Sequence, residues 1–233
     1  TRSLKFDGDT FHEVSNGGAF DLTTKDFTIV ARIKTRADGT IFSLCQSGPK
    51  WTPDGQSLFV RGGRLAFDIG WVGAVSAKTK VDDDRWHTVA MTWQQAERRV
   101  RLFVDGRLDA EGKLAAKANL PDSVVRIGFT SPDFPRPATF FQGEISEVRF
   151  YQGRLSEGLG DIEQLATEDA SLRARWMLNG VTDSKVADST KNERTAEVRR
   201  GMAPVNHQTH PIVAGFAPNN LNAEWTDRKS TRL

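Results

Sequence analysis

Between Asp82 and Leu108 the chain carries two runs that only a pleated sheet can use. The first, Asp82-Asp83-Asp84-Arg85-Trp86-His87-Thr88-Val89-Ala90-Met91-Thr92-Trp93, is an acidic turn leading into an aromatic-anchored strand. A charged turn, Gln95 to Arg99, then leads into Val100-Arg101-Leu102-Phe103-Val104. Apolar side chains recur there at Val100, Leu102 and Val104, a two-residue period that no helix presents to a core. The run stops at Asp105-Gly106, a dipeptide suited to the tight turn of a β-hairpin.

The same grammar extends in both directions. Leu4-Lys5-Phe6-Asp7-Gly8-Asp9 is a short strand closing on a turn. Phe27 to Lys34 has one wholly apolar face, made of Phe27, Ile29, Ala31 and Ile33, while the other face mixes Thr28 and Val30 with Arg32 and Lys34. Thr40–Leu44 and Ser57–Arg61 read as strands separated by the loop Gln46 to Gln56, and Gly62-Gly63 turns the second of them into Arg64–Ile69. Val124–Phe129 is a further strand. The proline-studded loop Ser131 to Pro137 follows, because proline cannot donate to a ladder. Phe141–Tyr151 is a strand whose alternation breaks at Ser146, as a β-bulge would make it. Strands at this spacing predict an all-β, two-sheet antiparallel sandwich, and 233 residues suffice for one substantial core. One short helix is expected after the main sandwich, from a Ser156 cap to Thr167 with Ile162, Leu165 and Ala166 on one face.

These segments resemble a known family. Trp86-His87-Thr88-Val89-Ala90-Met91-Thr92-Trp93 with Leu102-Phe103-Val104-Asp105-Gly106 is similar to the "WHHVAVTY…LYVDG" pattern of laminin-G-like jelly rolls, a branch of the concanavalin A-like lectin/glucanase superfamily. Leu4 to Gly8 resembles the family's "LxFDG" opening, and Phe141 to Tyr151 its "FxGxIDEVRIY" strand. The likeness runs from Leu4 to about Ala166 and is specific to a fold rather than a ligand. It divides the chain into a sandwich over 1–155, a helix over 156–170 and a strand segment over 171–205. In that last segment Arg175–Gly180 and Val186–Asn192 resemble the family's leading motif displaced to the C-terminal side. It either begins a second copy or completes this same sandwich. The second reading is favoured because an isolated strand could not bury Trp176. Residues 206–226 read as a linker toward a further domain. Residues 227–233 resemble a translated sequencing adapter, so the chain reads as a piece of a longer protein.

Composition narrows the function. The formal net charge is +2, from 32 Lys+Arg against 30 Asp+Glu, and no basic stripe is present, which argues against a nucleic-acid partner. No run approaches the ~20 apolar residues of a membrane span, so membrane insertion is not expected. Cys45, the single cysteine, cannot form an internal disulfide and reads as a buried thiol in a strand. The histidines at 12, 87, 207 and 210 follow no metal-ligand spacing, and no serine sits in a Gly-x-Ser-x-Gly elbow. The glycine pairs at 17–18 and 62–63 read as hairpin turns rather than phosphate loops.

Hydrolytic members of the superfamily carry a Glu-x-Asp-x-x-Glu strand, and that pattern is absent. The nearest approach, Glu144-Ile145-Ser146-Glu147, places its acids on opposite faces unless a bulge intervenes. Asp82-Asp83-Asp84 reads as a solvated turn, because calcium loops alternate their ligands with small residues. Asp7 and Asp9, joined by Glu147 if the terminal strands are neighbours, form a candidate structural Ca²⁺ site. The resemblance supports that site, and no cofactor is required.

What remains are aromatics in loops. Trp86, Trp93 and Trp176 read as core. Trp51, between Pro49 and Pro53, sits in a turn-rich loop that could hardly bury it, Trp71 is flanked by Gly70 and Gly73, and Phe134 rides the proline loop. Sugar rings stack on such faces, and Asp54, Gln56, Asp68 and Asp133 would receive their hydroxyls. The expected function is a non-catalytic module binding polysaccharide or glycoprotein within a larger secreted bacterial protein. The resemblance implies an extracellular, cell-surface or periplasmic location. A structural spacer between catalytic or redox domains is the alternative, and a glycoside hydrolase a remote one. Exposed, coplanar Trp51 and Trp71 favour binding; buried ones favour the spacer.

Overall fold

The computed structural model describes residues 3–116, 120, 122–134, 139–153, 170–178 and 185–201. Among these residues all strand pairs are antiparallel and form two sheets. The first runs β1 (Leu4–Asp7), β12 (Gln142–Tyr151), β3 (Phe27–Thr35), β8 (His87–Gln94), β9 (Arg99–Val104) and β10 (Arg107–Lys113). β13 (Leu172–Met177) takes the stretch of β12 that β1 leaves free, from Glu147 to Tyr151. The second sheet runs β14 (Lys185–Val186), β15 (Ala196–Arg200), β2 (Thr10–Val14), β11 (Ser123–Ile127), β4 (Gly39–Gln46), β5 (Gln56–Arg61), β6 (Arg64–Ile69) and β7 (Gly73–Lys80). Two sheets packed face to face in this way are the expected jelly-roll sandwich.

The two-residue period selects the inner faces. Phe27, Ile29, Ala31 and Ile33 of β3 join Val100, Leu102 and Val104 of β9 and Leu58, Val60, Leu65 and Phe67 of the opposite sheet in one core. Each of these side chains larger than alanine contributes roughly 1.5–3 kcal/mol by leaving water. Asp105 and Gly106 both take left-handed backbone, φ 49° and 77°, the conformation that a two-residue hairpin demands and that aspartate and glycine tolerate. The register of β12 against β3 slips between Ile145 and Glu147, so the bulge falls at Ser146.

The segment after residue 170 enters both sheets. β13 pairs with β12 and β15 with β2. Trp176 is fully buried, and its indole N–H donates to the Arg194 carbonyl at 2.8 Å. Asp188 holds the return: its carboxylate accepts the backbone N–H groups of Arg175, Thr190 and Arg194 and the Thr190 hydroxyl. The expected helix over 156–167 and the segments 206–226 and 227–233 lie outside the described residues.

Two sequence expectations change, and one strand appears that no expectation covered. Trp86 is only half-buried and lies just before β8, with the Arg32 guanidinium 5.7 Å from its ring centroid. Gly17 opens a short 3₁₀ turn rather than a hairpin. β7 had no clear signal, because its exposed edge alternates small and charged residues.

Candidate functional site

The outer face of the second sheet carries Cys45, Phe59, Ala66 and Val124, apolar side chains pointing away from the core. Left uncovered they would form an exposed apolar patch. Two loops cover them. Phe134 (1% exposed) stacks edge-on to Phe59 at 5.2 Å, and Trp51 stacks edge-on to Phe134 at 4.9 Å. Trp51 therefore retains only 8% exposure, which corrects its expected place in an open loop. The sequence did hold a signal: Ile41 to Cys45, Leu58 to Val60 and Leu65 to Phe67 are nearly continuous apolar runs, the mark of strands buried on both faces.

Polar groups lock these loops down. Asp133 accepts the Trp51 backbone N–H at 2.5 Å and the Ser131 hydroxyl at 2.9 Å, so it ties one loop to the other. Thr130 is held through its hydroxyl by Thr40 and Ser57, and through its carbonyl by Arg126 at 2.5 Å. Arg126 is itself fully buried and paired with Glu13 at 2.9 Å. Gln56 points to the core side at 1% exposure and donates to the Leu22 carbonyl at 2.7 Å. Trp51, Phe134, Asp133 and Gln56 thus build the support rather than an open surface.

The open surface lies at the rim, where the β6–β7 turn meets the loop before β5. Asp54 N–H donates to the Gly70 carbonyl at 3.0 Å, and Gly70 N–H donates to the Gly55 carbonyl at 2.8 Å. The approach is tight enough that only glycine fits: a Cβ on Gly55 would lie 2.7 Å from the Trp51 ring, and one on Gly70 2.3 Å from the Thr52 carbonyl oxygen. Val72 N–H closes a turn on the Ile69 carbonyl at 2.9 Å, leaving Trp71 as its third residue with φ 60°. That left-handed position ordinarily takes glycine. Trp71 holds it with 69% of its surface exposed. Asp54, half-buried, is left-handed at φ 62° beside it. Asp68, on the outer face of β6, is half-buried; burial pushes its carboxyl up to about 6, and the Arg61 guanidinium pulls against that rise. Arg61 in turn lies over the Phe59 ring at 4.5 Å. The structure therefore brings Trp71, Asp54 and Asp68 to one rim.

The candidate calcium ligands do not converge. Asp7 pairs with Gln142 in the β1–β12 register, whereas Glu147 lies beyond the last pair, Leu4 with Ile145. One Asp7 oxygen already accepts the Asp9 and Thr10 backbone N–H groups and the Thr10 hydroxyl. Among the described residues no group of three or more His, Cys, Asp or Glu side chains is arranged to hold a metal ion.

The Ser146 bulge does bring Glu144 and Glu147 to one face, opposite Lys34 and Arg32. Their surroundings suit ionised carboxylates rather than proton donors. Glu147 loses hydration on burial, but Arg149 at 2.6 Å and Arg175 at 2.5 Å hold its pKa below the ordinary value. Glu144 is likewise held down, by the Ser3 hydroxyl and by Lys34 at 3.3 Å. A glycosidase acid needs the opposite shift.

A two-sheet antiparallel sandwich with loops folded over one outer face defines a jelly-roll β-sandwich domain. The chain belongs to the Laminin_G_3 family of the concanavalin A-like lectin/glucanases superfamily, whose model matches residues 6–158. No curated protein sequence matches it. Among solved structures, a candidate carbohydrate-binding protein of Bacteroides ovatus aligns with TM-score 0.61 and 17% identity, covering 88% of this chain. This chain spans 61% of that protein's length. The CBM40 module of the Ruminococcus gnavus IT-sialidase, bound to α2,3-sialyllactose, aligns with TM-score 0.57 and 20% identity over 67% of this chain and 92% of its own. Domains LG4-5 of the mouse laminin α1 chain align with TM-score 0.51 and 19% identity over 79% of this chain and 48% of theirs. These likenesses establish the shared fold. Among the described residues no helix is long and apolar enough to cross a membrane.

Proposed function

We propose that this domain is a non-catalytic module that binds a glycan, as polysaccharide or glycoprotein, through the rim built by Trp71, Asp54 and Asp68. The observation that carries the reading is Trp71: an exposed indole held in a backbone conformation that costs a non-glycine residue of order 1 kcal/mol. Packing does not explain it. An indole face offers the flat apolar surface that the C–H face of a pyranose covers, and the neighbouring carboxylates accept its hydroxyls. The named partners of the similar bacterial structures, a carbohydrate and a sialyllactose, support the same class of ligand. The reading places the domain outside the cytoplasm, as one part of a larger exported protein, and requires no cofactor.

The burial of Trp51 and Phe134 is what a spacer domain would show, so that reading stays as the second. A screen of the chain against soluble and insoluble polysaccharides and glycoproteins, with and without Ca²⁺, separates the two. Saturable binding that Trp71→Ala abolishes, with unchanged far-ultraviolet circular dichroism, supports the module. Absence of binding across the panel by the folded protein supports the spacer.

A further inference from the structure

Among the described residues, neither sheet offers an open aromatic groove along which a polymer could lie. The outer face of the second sheet is filled by its own loops, with Trp51, Phe59 and Phe134 all within 8% exposure and pinned through Asp133, Thr130 and Arg126. The outer face of the first sheet is closed as well: Val30, Ala90, Phe103, Tyr151 and Leu172 form a buried cluster there, none above 8% exposure. At the end of that face, the ring of Trp86 is taken by the Arg32 guanidinium. Among the described residues the large exposed apolar side chains are Trp71 and Leu108, and Leu108 is aliphatic. Beyond Trp71 the exposed positions of β7 are Gly73, Ala74, Ser76, Lys78, Thr79 and Lys80, which present no ring.

We infer that the rim grips one end or one short branch of a glycan, a unit of one or two sugars stacked on Trp71, rather than a stretch of extended chain. This rests on the glycan-binding reading above and adds the size of the unit recognised. A single indole face is about one pyranose wide, because a tryptophan buries at most ~250 Å² in all. A second sugar reaches Asp54 or Asp68. A third finds no aromatic partner on the described surface and stays in water.

The test is titration calorimetry of the full chain against gluco-, xylo-, manno- and chito-oligosaccharide ladders, from the monosaccharide to the hexasaccharide. Trp71→Ala and Trp71→Phe run alongside. The expected result is a Kd that improves up to the second unit and then changes by less than about twofold per added unit, where a groove would gain about tenfold for each further 1.4 kcal/mol of contact. Trp71→Phe keeps that plateau at weaker affinity and Trp71→Ala removes binding. Affinity that keeps rising through the tetra- and hexasaccharide, by about tenfold or more, overturns the inference while leaving the glycan reading intact. No heat with any ladder, together with no retention on any polysaccharide of the screen, overturns the glycan reading and the inference with it.

Discussion

Two buried groups titrate in opposite senses over the same pH range, and their balance is measurable. His12 is 2% exposed, both ring nitrogens lack a partner among the described residues, and burial lowers its pKa from 6.5 to about 4. The unfolded chain therefore takes up a proton near pH 6.5 that the folded chain refuses until about pH 4. His12 stability is present above the first value and is lost as pH falls toward the second. Asp68 runs the other way: its pKa rises from 3.8 to about 6, so its stability is present below the first value and is lost as pH rises through the second. At about 1.36 kcal/mol per unit, each group moves the unfolding free energy by roughly 2–3 kcal/mol between pH 4 and 6.5, with opposite signs. In the parent protein the two largely cancel. Removing one exposes the other. His12→Leu, which loses no hydrogen bond, should grow less stable relative to the parent by roughly 2–3 kcal/mol as pH rises from 4 to 6.5. Asp68→Asn should grow more stable relative to the parent by a similar amount. Urea midpoints of the three proteins at half-unit pH steps measure this directly, since every other group titrates alike in all three. Profiles that run parallel would refute the assignment of these shifts to burial.

Other consequences follow from the same contacts. Trp71→Gly should stabilise the domain by about 0.5–1 kcal/mol in thermal unfolding by relieving the left-handed turn, while abolishing glycan binding. Gly55→Ala forces a methyl into the Trp51 ring and should cost about 1–3 kcal/mol in urea unfolding, with a shift in tryptophan fluorescence as the loop lifts. Asp188→Ala leaves three backbone donors and a hydroxyl without their acceptor and should cost about 2–4 kcal/mol, read as a drop in Tm. His87 lies between Asp105 at 2.8 Å and Asp83 at 2.9 Å; burial lowers its pKa, but the two carboxylates outweigh that and the net shift is upward. The clamp is complete below the ordinary imidazole range and is lost as pH rises through the raised value. His87→Gln should therefore remove a decline in Tm that sets in as pH rises above the ordinary imidazole value of 6.5.

The period-two runs were enough to identify the sandwich, because burial on one face imposes alternation on any strand that faces a core. Asp105-Gly106 and the break at Ser146 were equally legible, since local backbone geometry dictates which residues turn or bulge. Glu147 shows where local reading stops. A neighbour three residues away and a bulge put Glu144 on its face, but whether it meets a cation or a metal depended on Arg175, which arrives from β13. The rim shows the same limit. Trp51 and Trp71 look alike in sequence, each an aromatic among glycines and prolines. One is buried because Phe134, some eighty residues on, closes over it; the other is exposed in the turn that follows the end of β6. The sequence by itself determined the architecture, since strand patterning and turn chemistry act between near neighbours. Which aromatic became support and which became surface was decided only by tertiary structure, because loop burial depends on what distant strands leave uncovered.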